Sequence, residues 1–490
     1  MAETKTTRRC KMDSIHAGRR QFVKGSLSAL ALSTLPGQVA LAQTTIRNRL
    51  EWNDFKTTPD YAAFINAISA MRANTNSADR RSWAYWSNIH VNACPHGIAY
   101  FLAWHRGYLH YFQETVRAIS GNSTLMVPYW DYYKSAVMPQ EFTDSSSGNP
   151  LYVPGRVNTN VYSALSLTPF STKYKNFQRG TVDSFEVAIE YQPHGKFHNV
   201  IGGYMAQKTS PMDPIFWLHH GQIDRLWAAW VLAANGRTMP PIGDPYWSGN
   251  YTYRSDLTMP RNRAYNTTTY LSYDYVDKTL PRALPPQASA GRLIRVQMPG
   301  RSGSGRPAVG NFPQLGPASA GGGRRSIGGA GNVGLDETSV SVQIPVEQPD
   351  SQALRSIIER QRGGQGGRGG PPAGPYTSVQ IVVENARVLP QGQDGGYFYD
   401  VYLNLPQSGG APDEEHLIGG FGPFEIASHE HHPGSSHLTF PVTQILANTT
   451  PDQLRDITLS FVRVSGNNSP RGRVIVLGAV RIELSNDPVQ

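Results

Sequence analysis

The sequence predicts a mainly helical domain followed by a β-sandwich. From residue 43 to 283 the chain is rich in aromatic residues that recur with helical spacing, whereas from 333 onward short segments alternate apolar and polar residues. Between them, residues 284–332 are rich in glycine, arginine and proline, a composition typical of a flexible connector. With 490 residues, 39% of them hydrophobic, the chain is long enough for two or three domains with cores of their own.

The first 42 residues predict an export signal. A paired arginine, Arg19-Arg20, precedes an apolar stretch that ends in the small-residue sequence Ala40-Leu41-Ala42. This order is typical of a twin-arginine signal cleaved after Ala42, and it predicts a periplasmic or secreted protein. The route carries folded proteins, which suits a protein that acquires a cofactor before export. Because no run of about 18 apolar residues follows, we expect no membrane partner.

The net charge of +9 is unevenly distributed. The predicted signal holds seven basic and two acidic residues, which leaves +4 for the remaining chain. Residues 284–375 hold ten arginines, five acidic residues and no lysine, so the remaining excess belongs to the connector and the segment after it. We therefore expect no nucleic-acid partner for the folded domains. Of the two cysteines only Cys94 lies outside the signal, which excludes a disulfide framework.

Three helices are predicted with defined boundaries. Thr58-Pro59-Asp60 begins an amphipathic run, since proline suits a first helical position. Residues 101–112 place aromatic side chains at helical spacing, which indicates a second, buried helix. Asp213-Pro214 begins a third helix that can extend to Asn235-Gly236. The helical domain is therefore predicted over residues 43–283.

The C-terminal part predicts short strands separated by turn residues. The segments with this pattern are residues 339–344, 379–383, 397–402 and 473–477. We expect a compact β-sandwich over residues 333–490, with a glycine-rich loop inserted at 350–375.

Histidines point to a metal site in the helical domain. Eight of the fourteen fall between His90 and His220. His194 and His198 stand four residues apart, so on a helix they share a face and can bind one ion. His105 falls on the buried face of the helix at 101–112, where a polar group needs a partner. Ligation by imidazole alone suits copper, and zinc with a histidine shell remains the competing metal.

The residues around these histidines resemble the two copper signatures of the type 3 copper proteins, which are the tyrosinases, catechol oxidases and haemocyanins. The resemblance covers roughly residues 47–283 and is carried by residues 94–96, 100–106, 213–220 and 224–227. Residues 398–402 and 476–482 are similar to the β-domain that follows the core in plant-type polyphenol oxidases. The resemblance therefore implies a helical bundle that holds a binuclear copper site, with dioxygen as co-substrate.

The resemblance also implies the copper ligands. The first copper would be bound by His90, His96 and His105, and the second by His194, His198 and His220. His220 is chosen over His219 because the family uses the later member of the pair. In fungal relatives a cysteine at the position of Cys94 forms a thioether with the following ligand histidine. We therefore expect a bond between Cys94 and His96.

The implied activity is that of a tyrosinase, which oxidises monophenols and o-diphenols such as L-tyrosine and L-DOPA to o-quinones, in melanin-type pigment or phenol metabolism. Glu186 matches the glutamate that anchors a water in relatives. Gly195 stands where an asparagine often follows the first ligand of the second copper, and Asn199 is the candidate substitute. Lys208 falls near the position that controls substrate entry in relatives. The alternatives are a catechol oxidase without monophenolase activity and a haemocyanin-like oxygen carrier.

In plant-type relatives the C-terminal domain covers the copper pocket as a lid. The resemblance implies the same here, with Phe421 and Phe424 as candidates for the residue that fills the pocket. Five further histidines fall between His416 and His437, and we expect them in a solvated loop rather than in a copper-loading site. The expected partner is a phenolic small molecule, and a homo-oligomer is compatible with the sequence.

Overall fold

The computed structural model describes residues 45–286, 306–363, 374–405, 414–429, 436–450, 453–466 and 468–489. The predicted signal at 1–42 lies outside these residues. The helices that the structure describes are α1 Trp52–Phe55, α2 Asp60–Ala73, α3 Trp83–Ala93, α4 Phe101–Ser120, α5 Gln140–Thr143, α6 Phe185–Ile189, α7 Lys196–Ile201, α8 Ile215–Leu232, α9 Thr267–Leu271, α10 Gln348–Arg362, α11 Pro423–His429 and α12 Thr443–Ala447. None of them combines the length and hydrophobicity that a membrane span needs.

The helical domain is built around α4 and α8. Both helices are buried along most of their length, because aromatic residues recur on more than one face. The rings of Phe112 and Trp217 stack between them, with centroids 3.5 Å apart. Helix α4 ends at Gly121, whose φ of 67° is the left-handed conformation that glycine adopts without strain. The helices predicted at Asp60, at 101–112 and after Asp213-Pro214 are all present.

The C-terminal domain consists of two antiparallel sheets. The strands in the described residues are β1 Arg47–Arg49, β2 Asn250–Arg254, β3 Leu257–Pro260, β4 Tyr273–Tyr275, β5 Gln314–Leu315, β6 Ala318–Ala320, β7 Arg324–Leu335, β8 Val340–Pro345, β9 Ser378–Glu384, β10 Arg387–Val388, β11 Tyr397–Leu403, β12 Leu417–Phe421, β13 His437–Pro441, β14 Asp456–Ser465 and β15 Ile475–Ser485. One sheet has the order β13-β9-β15-β7-β5, with β6 on β7 and β10 on β15, and the other has the order β12-β11-β14-β8.

The two sheets share one hydrophobic core. Val333 and Ile381 of the larger sheet belong to the same buried cluster as Val342 and Phe461 of the smaller sheet. Successive side chains of these strands therefore point alternately into the core between the sheets and away from it. The predicted fold class, a mainly α core followed by a sheet-rich C-terminal domain, is confirmed.

The connector predicted at 284–332 is wrong in its C-terminal half. Strands β5, β6 and most of β7 lie within it and belong to the larger sheet. In β7, glycine allows close strand approach: a Cβ at Gly329 would lie nearer to the carbonyl oxygen of Val480 than the 3.0 Å that real Cβ atoms keep. At Gly329, a glycine that suggested flexibility is therefore a packing requirement. Residues 287–305 lie outside the described chain.

The glycine-rich loop predicted at 350–375 is wrong over its first part, where α10 extends to Arg362. Pro349 lies in the first turn, and Leu354, Ile357 and Ile358 form the buried face of the helix. These three apolar residues have helical spacing, but the glycines that follow them favour a loop in the sequence-based prediction. Residues 364–373 lie outside the described part of the chain.

The C-terminal domain contacts the helical domain beside α7. Lys196 of α7 forms an ion pair with Asp400 of β11, with Nζ and Oδ1 2.8 Å apart and both side chains largely buried. The backbone N–H of Gly396 donates to the carbonyl of Asn199 over 2.7 Å. Phe398 and Val464 belong to the same buried cluster as the helical domain. These contacts place the C-terminal domain next to His198 of α7.

Candidate metal centre

The first histidine group combines α3, α4 and the loop between them. His90 lies near the end of α3, His105 in the first turns of α4, and His96 between them. One ring nitrogen of each histidine and the sulfur of Cys94 all lie within 4.8 Å of one another. His90 Nδ1–H donates to the carbonyl of Lys208 over 2.7 Å, and His105 Nδ1–H donates to that of Phe101 over 2.8 Å. These hydrogen bonds fix the tautomer that leaves Nε2 with its lone pair, as in histidines that bind a metal.

The second group contains four histidines from three segments. His194 lies in the π-helical segment Glu190–Gly195, His198 in α7, and His219 and His220 in α8. His198 Nδ1–H donates to the carbonyl of Met205 over 2.8 Å. The Nε2 atoms of His194 and His198 and both ring nitrogens of His219 and His220 are buried without a hydrogen-bond partner. Buried polar atoms of this kind need a partner, and a metal ion provides one.

The environment keeps these imidazoles neutral. Desolvation by burial lowers the pKa of His198 to about 3. Desolvation, and then the neighbouring histidines, lower the pKa values of His96, His105, His194 and His220 well below the ordinary range. Neutral imidazole is the form that binds a metal, so the centre is prepared for ligation at neutral pH.

The two groups border one another. The rings of His105 and His220 stack with centroids 4.2 Å apart and planes within 10°. His96 and His194 face each other at 5.7 Å. The groups are therefore arranged for two ions that share a space, as a binuclear site requires. The structure brings together all six predicted ligands and adds His219 to the second group.

His219 differs from His220 in its packing. Its ring stacks on Phe197 at 3.8 Å, whereas His220 faces His105 of the first group. His220 therefore lies between the two groups, and its choice over His219 as a ligand stays a prediction. The donors of both groups, Cys94 aside, are imidazole nitrogens, which fit copper.

Cys94 lies between two predicted ligands. Its Sγ is 3.2 Å from Nε2 of His105 and 3.6 Å from Nε2 of His96. Burial raises the pKa of the thiol well above its usual range, so an unmodified Cys94 stays protonated. The expected thioether to His96 stays a prediction that this proximity permits.

We expect the thioether to remove two hydrogens from the mature, copper-loaded protein. Intact-mass measurement should show this loss relative to the sequence, and peptide mapping should confine it to the peptide that holds Cys94 and His96. Cys94→Ser is the control and should show the mass of its sequence. Complete alkylation of Cys94, after the copper-loaded protein has been unfolded, would disprove the bond.

Glu186 lies beneath the first turn of α4. Its carboxylate accepts hydrogen bonds from the N–H groups of Leu102 and Arg179 and from the hydroxyl of Tyr246. Burial raises the pKa of Glu186 to about 7. Glu190, which the sequence did not single out, accepts from the N–H of Gly97 over 2.7 Å and so fixes the loop of His96. The water-anchoring role predicted for Glu186 remains a prediction.

Lys208 is half-buried, and its backbone carbonyl orients His90. The role predicted for its ammonium group in substrate entry stays a prediction.

The C-terminal helix α11 closes the centre. Phe424 lies over His198 with ring centroids 3.9 Å apart and planes within 14°, and its edge faces His96 at 5.1 Å. Phe421 belongs instead to the core of the β-sandwich, near Phe461. Of the two candidates for the residue that fills the pocket, the structure places only Phe424 there.

Asn199 faces α11 and not an open pocket. Its Nδ2 donates to Glu425 Oε2 over 2.7 Å, and its Oδ1 accepts from the N–H of Phe424 over 2.9 Å. Desolvation raises the pKa of Glu425 to about 7. Glu425 was not predicted from the sequence, although the unusual Gly195, which lies against it in the fold, offered a signal.

The solvated loop expected for the five C-terminal histidines is wrong for His429. This residue ends α11, its Nδ1–H donates to the carbonyl of Glu425 over 2.7 Å, and its half-buried ring lies against Gly97. His437 lies on β13, and residues 430–435 fall outside the described chain.

A helical core that buries two imidazole groups side by side defines a binuclear metal protein. Residues 60–164 and 156–233 match the common central domain of tyrosinase, and they contain both histidine groups. This part of the chain therefore carries the common central domain of tyrosinase.

Relatives of known name support this placement. The chain is 34% identical to a tyrosinase of a Hahella species over 187 residues, which are 31% of this chain and 40% of that protein. It is 28% identical to the tyrosinase of Streptomyces glaucescens over 30% of this chain and 67% of that one. It is also 29% identical to an octopus haemocyanin, Enteroctopus dofleini, over 30% of this chain and 6% of the haemocyanin. The chain thus spans well under two thirds of the Hahella and octopus relatives.

Two solved structures extend the likeness to the C-terminal domain. Latent aurone synthase, a polyphenol oxidase, matches 90% of this chain and 91% of its own with a TM-score of 0.51 and 17% identity. Latent apple tyrosinase matches 90% of this chain and 98% of its own with a TM-score of 0.51 and 18% identity. At these identities the likeness concerns the fold alone.

Proposed function

We propose that this protein is a tyrosinase, which uses copper and dioxygen to oxidise monophenols and o-diphenols to o-quinones. The observation that carries the proposal is the pair of buried imidazole groups that lie side by side. The ring of Phe424 stacks on His198 of the second group. Two copper ions bound there would supply the redox chemistry with dioxygen. Melanin-type pigment formation or phenol metabolism is the proposed context.

The chain itself would bind and orient the substrate. The ring of Phe424 occupies the face of His198, which supports the idea that a planar phenol stacks at the same place when α11 moves away. Glu186, with its pKa near 7, is the proposed holder of a water that exchanges a proton with the phenol hydroxyl at neutral pH. Lys208 is the proposed contact for substrates that carry a carboxylate.

A catechol oxidase is the alternative within the enzyme class, and Gly195 in place of an asparagine favours it. An oxygen carrier is the alternative from another class, since the relatives include a haemocyanin. Export through the twin-arginine route to the periplasm or beyond is proposed from residues 1–42 alone.

One experiment separates the three functions. The protein is loaded with copper, its lid is removed by limited proteolysis, and quinone formation is followed spectrophotometrically from L-tyrosine and from L-DOPA. Quinone from both substrates supports a tyrosinase, and quinone from L-DOPA alone supports a catechol oxidase. Reversible oxygen uptake without quinone supports a carrier.

We expect Phe424→Ala to activate the unprocessed protein. Loss of the ring removes a buried contact worth about 3–5 kcal/mol, so the copper-loaded variant should oxidise L-DOPA at least about tenfold faster than the unprocessed parent. Phe421→Leu is the matched control, because Phe421 lies in the sandwich core, and it should leave the rate unchanged. Equal rates for Phe424→Ala and the parent would show that this ring does not limit access.

A further inference from the structure

Gly195 occupies a position that does not require glycine for its backbone. Its φ of −63° and ψ of −41° are ordinary helical values, for which alanine is the better helix former. A Cβ at this position would approach Glu425 Oε1 more closely than the 3.0 Å that real Cβ atoms keep. The absent side chain therefore leaves the space that a carboxylate of the C-terminal domain fills.

The opposite side of the contact repeats this arrangement. A Cβ at Gly422, directly before α11, would likewise come closer to Oδ1 of Asn199 than the 3.0 Å that real Cβ atoms keep. Each domain thus contributes one polar side chain and one glycine, and each side chain fits against the glycine of the other domain. Because each glycine makes room for a side chain of the other domain, the two surfaces are complementary in shape.

Hydrogen bonds join the same four residues. Glu425 Oε2 accepts from the N–H of Gly422 and from Nδ2 of Asn199, both over 2.7 Å. Asn199 is buried, and its Nδ2 also donates to the carbonyl of Gly195 over 2.9 Å. Displacing the carboxylate from Gly195 would therefore disturb the hydrogen bonds that hold the first turn of α11.

We propose that Gly195, Asn199, Gly422 and Glu425 form a latch that holds α11 over the metal centre. The latch, defined by these four residues, sets how often the lid opens in the unprocessed chain, while Phe424 fills the space beneath it. As regulation of the proposed oxidase, the inference rests on the proposed function, but the contact itself is independent of copper. In the latch, the carboxylate of Glu425 accepts hydrogen bonds from the side-chain amide of Asn199 in the helical domain and from the backbone N–H of Gly422 in the C-terminal domain.

The test is a double-mutant cycle on the full-length, copper-free protein. Hydrogen exchange at the amides of residues 422–429, measured by mass spectrometry, reports opening of α11. We expect Gly195→Ala and Glu425→Ala each to accelerate exchange at least about tenfold, since a charge-assisted hydrogen bond is lost. Gly195→Ala should add nothing in the Glu425→Ala background, because its effect acts through that carboxylate.

Gly243→Ala is the control, since a Cβ there meets nothing within 4 Å, and it should leave the exchange of α11 unchanged. Unchanged exchange in both single variants, or additive effects in the double variant, would overturn the latch. Faster exchange without quinone formation by the copper-loaded protein would leave the latch intact and contradict the oxidase instead. If Gly195→Ala fails to fold, Glu425→Ala decides the outcome alone.

Discussion

Replacing His220 with glutamine is expected to reduce the copper content from two ions per chain to about one. His220 faces His105 across 4.2 Å and lies between the two groups, so its loss removes one ligand from the second ion. A centre that works as a pair loses its function when either part is removed. We expect oxidation of L-DOPA by the processed protein to fall on the order of a thousandfold or more. Metal analysis and steady-state rates measure the two effects.

His219→Gln is the matched control, because His219 is the neighbouring residue on the same helix and is also buried. Its ring packs on Phe197, and we expect the variant to keep two copper ions and most of its activity. Retention of both ions by His220→Gln together with their loss in His219→Gln would transfer the ligand role to His219.

Asp224→Ala is expected to destabilise the helical domain by about 3–5 kcal/mol. Asp224 accepts from Arg106 Nε over 2.5 Å and from the hydroxyls of Tyr273 and Tyr275 over 2.6 and 2.5 Å. Burial acts to raise the pKa of Asp224, but Arg106 and Arg49 outweigh it and lower the pKa. Removing the carboxylate leaves the Arg106 guanidinium buried without its counter-charge.

Tryptophan fluorescence during denaturant unfolding measures this loss, because all nine tryptophans lie between Trp52 and Trp247 and report on the helical domain. The control is Asp256→Ala, since Asp256 is exposed and pairs with Arg254 at the surface. It should change the free energy of unfolding by less than about 0.5 kcal/mol. Equal effects of the two substitutions would mean that the Asp224 network contributes nothing beyond a surface pair.

The helical domain could be predicted because its signals are local. Helices α2, α4 and α8 are indicated by aromatic residues at helical spacing or by a proline in the first turn. These signals do not depend on what each helix packs against. The histidine groups could be predicted because the spacing of His194 and His198, and the motifs around His105 and His220, are properties of single segments.

The parts that escaped prediction depend on contacts between distant segments. In strand β7 the neighbouring strand approaches Gly329 closely, and the sequence alone cannot distinguish such a glycine from one in a flexible connector. Glu425 lies 226 residues from Asn199, so their hydrogen bond follows from the docking of one domain on the other. The sequence shows that Gly195 replaces an asparagine of the relatives. That the missing side chain leaves room for the carboxylate of Glu425 can be seen only in the folded structure.

The most direct test of the binuclear centre is anomalous X-ray scattering at the copper edge from crystals of the copper-loaded, full-length protein. We predict two peaks per chain, one bound by His90, His96 and His105 and the other by His194, His198 and His220. A single peak, or copper bound by residues outside the two histidine groups, would contradict the account.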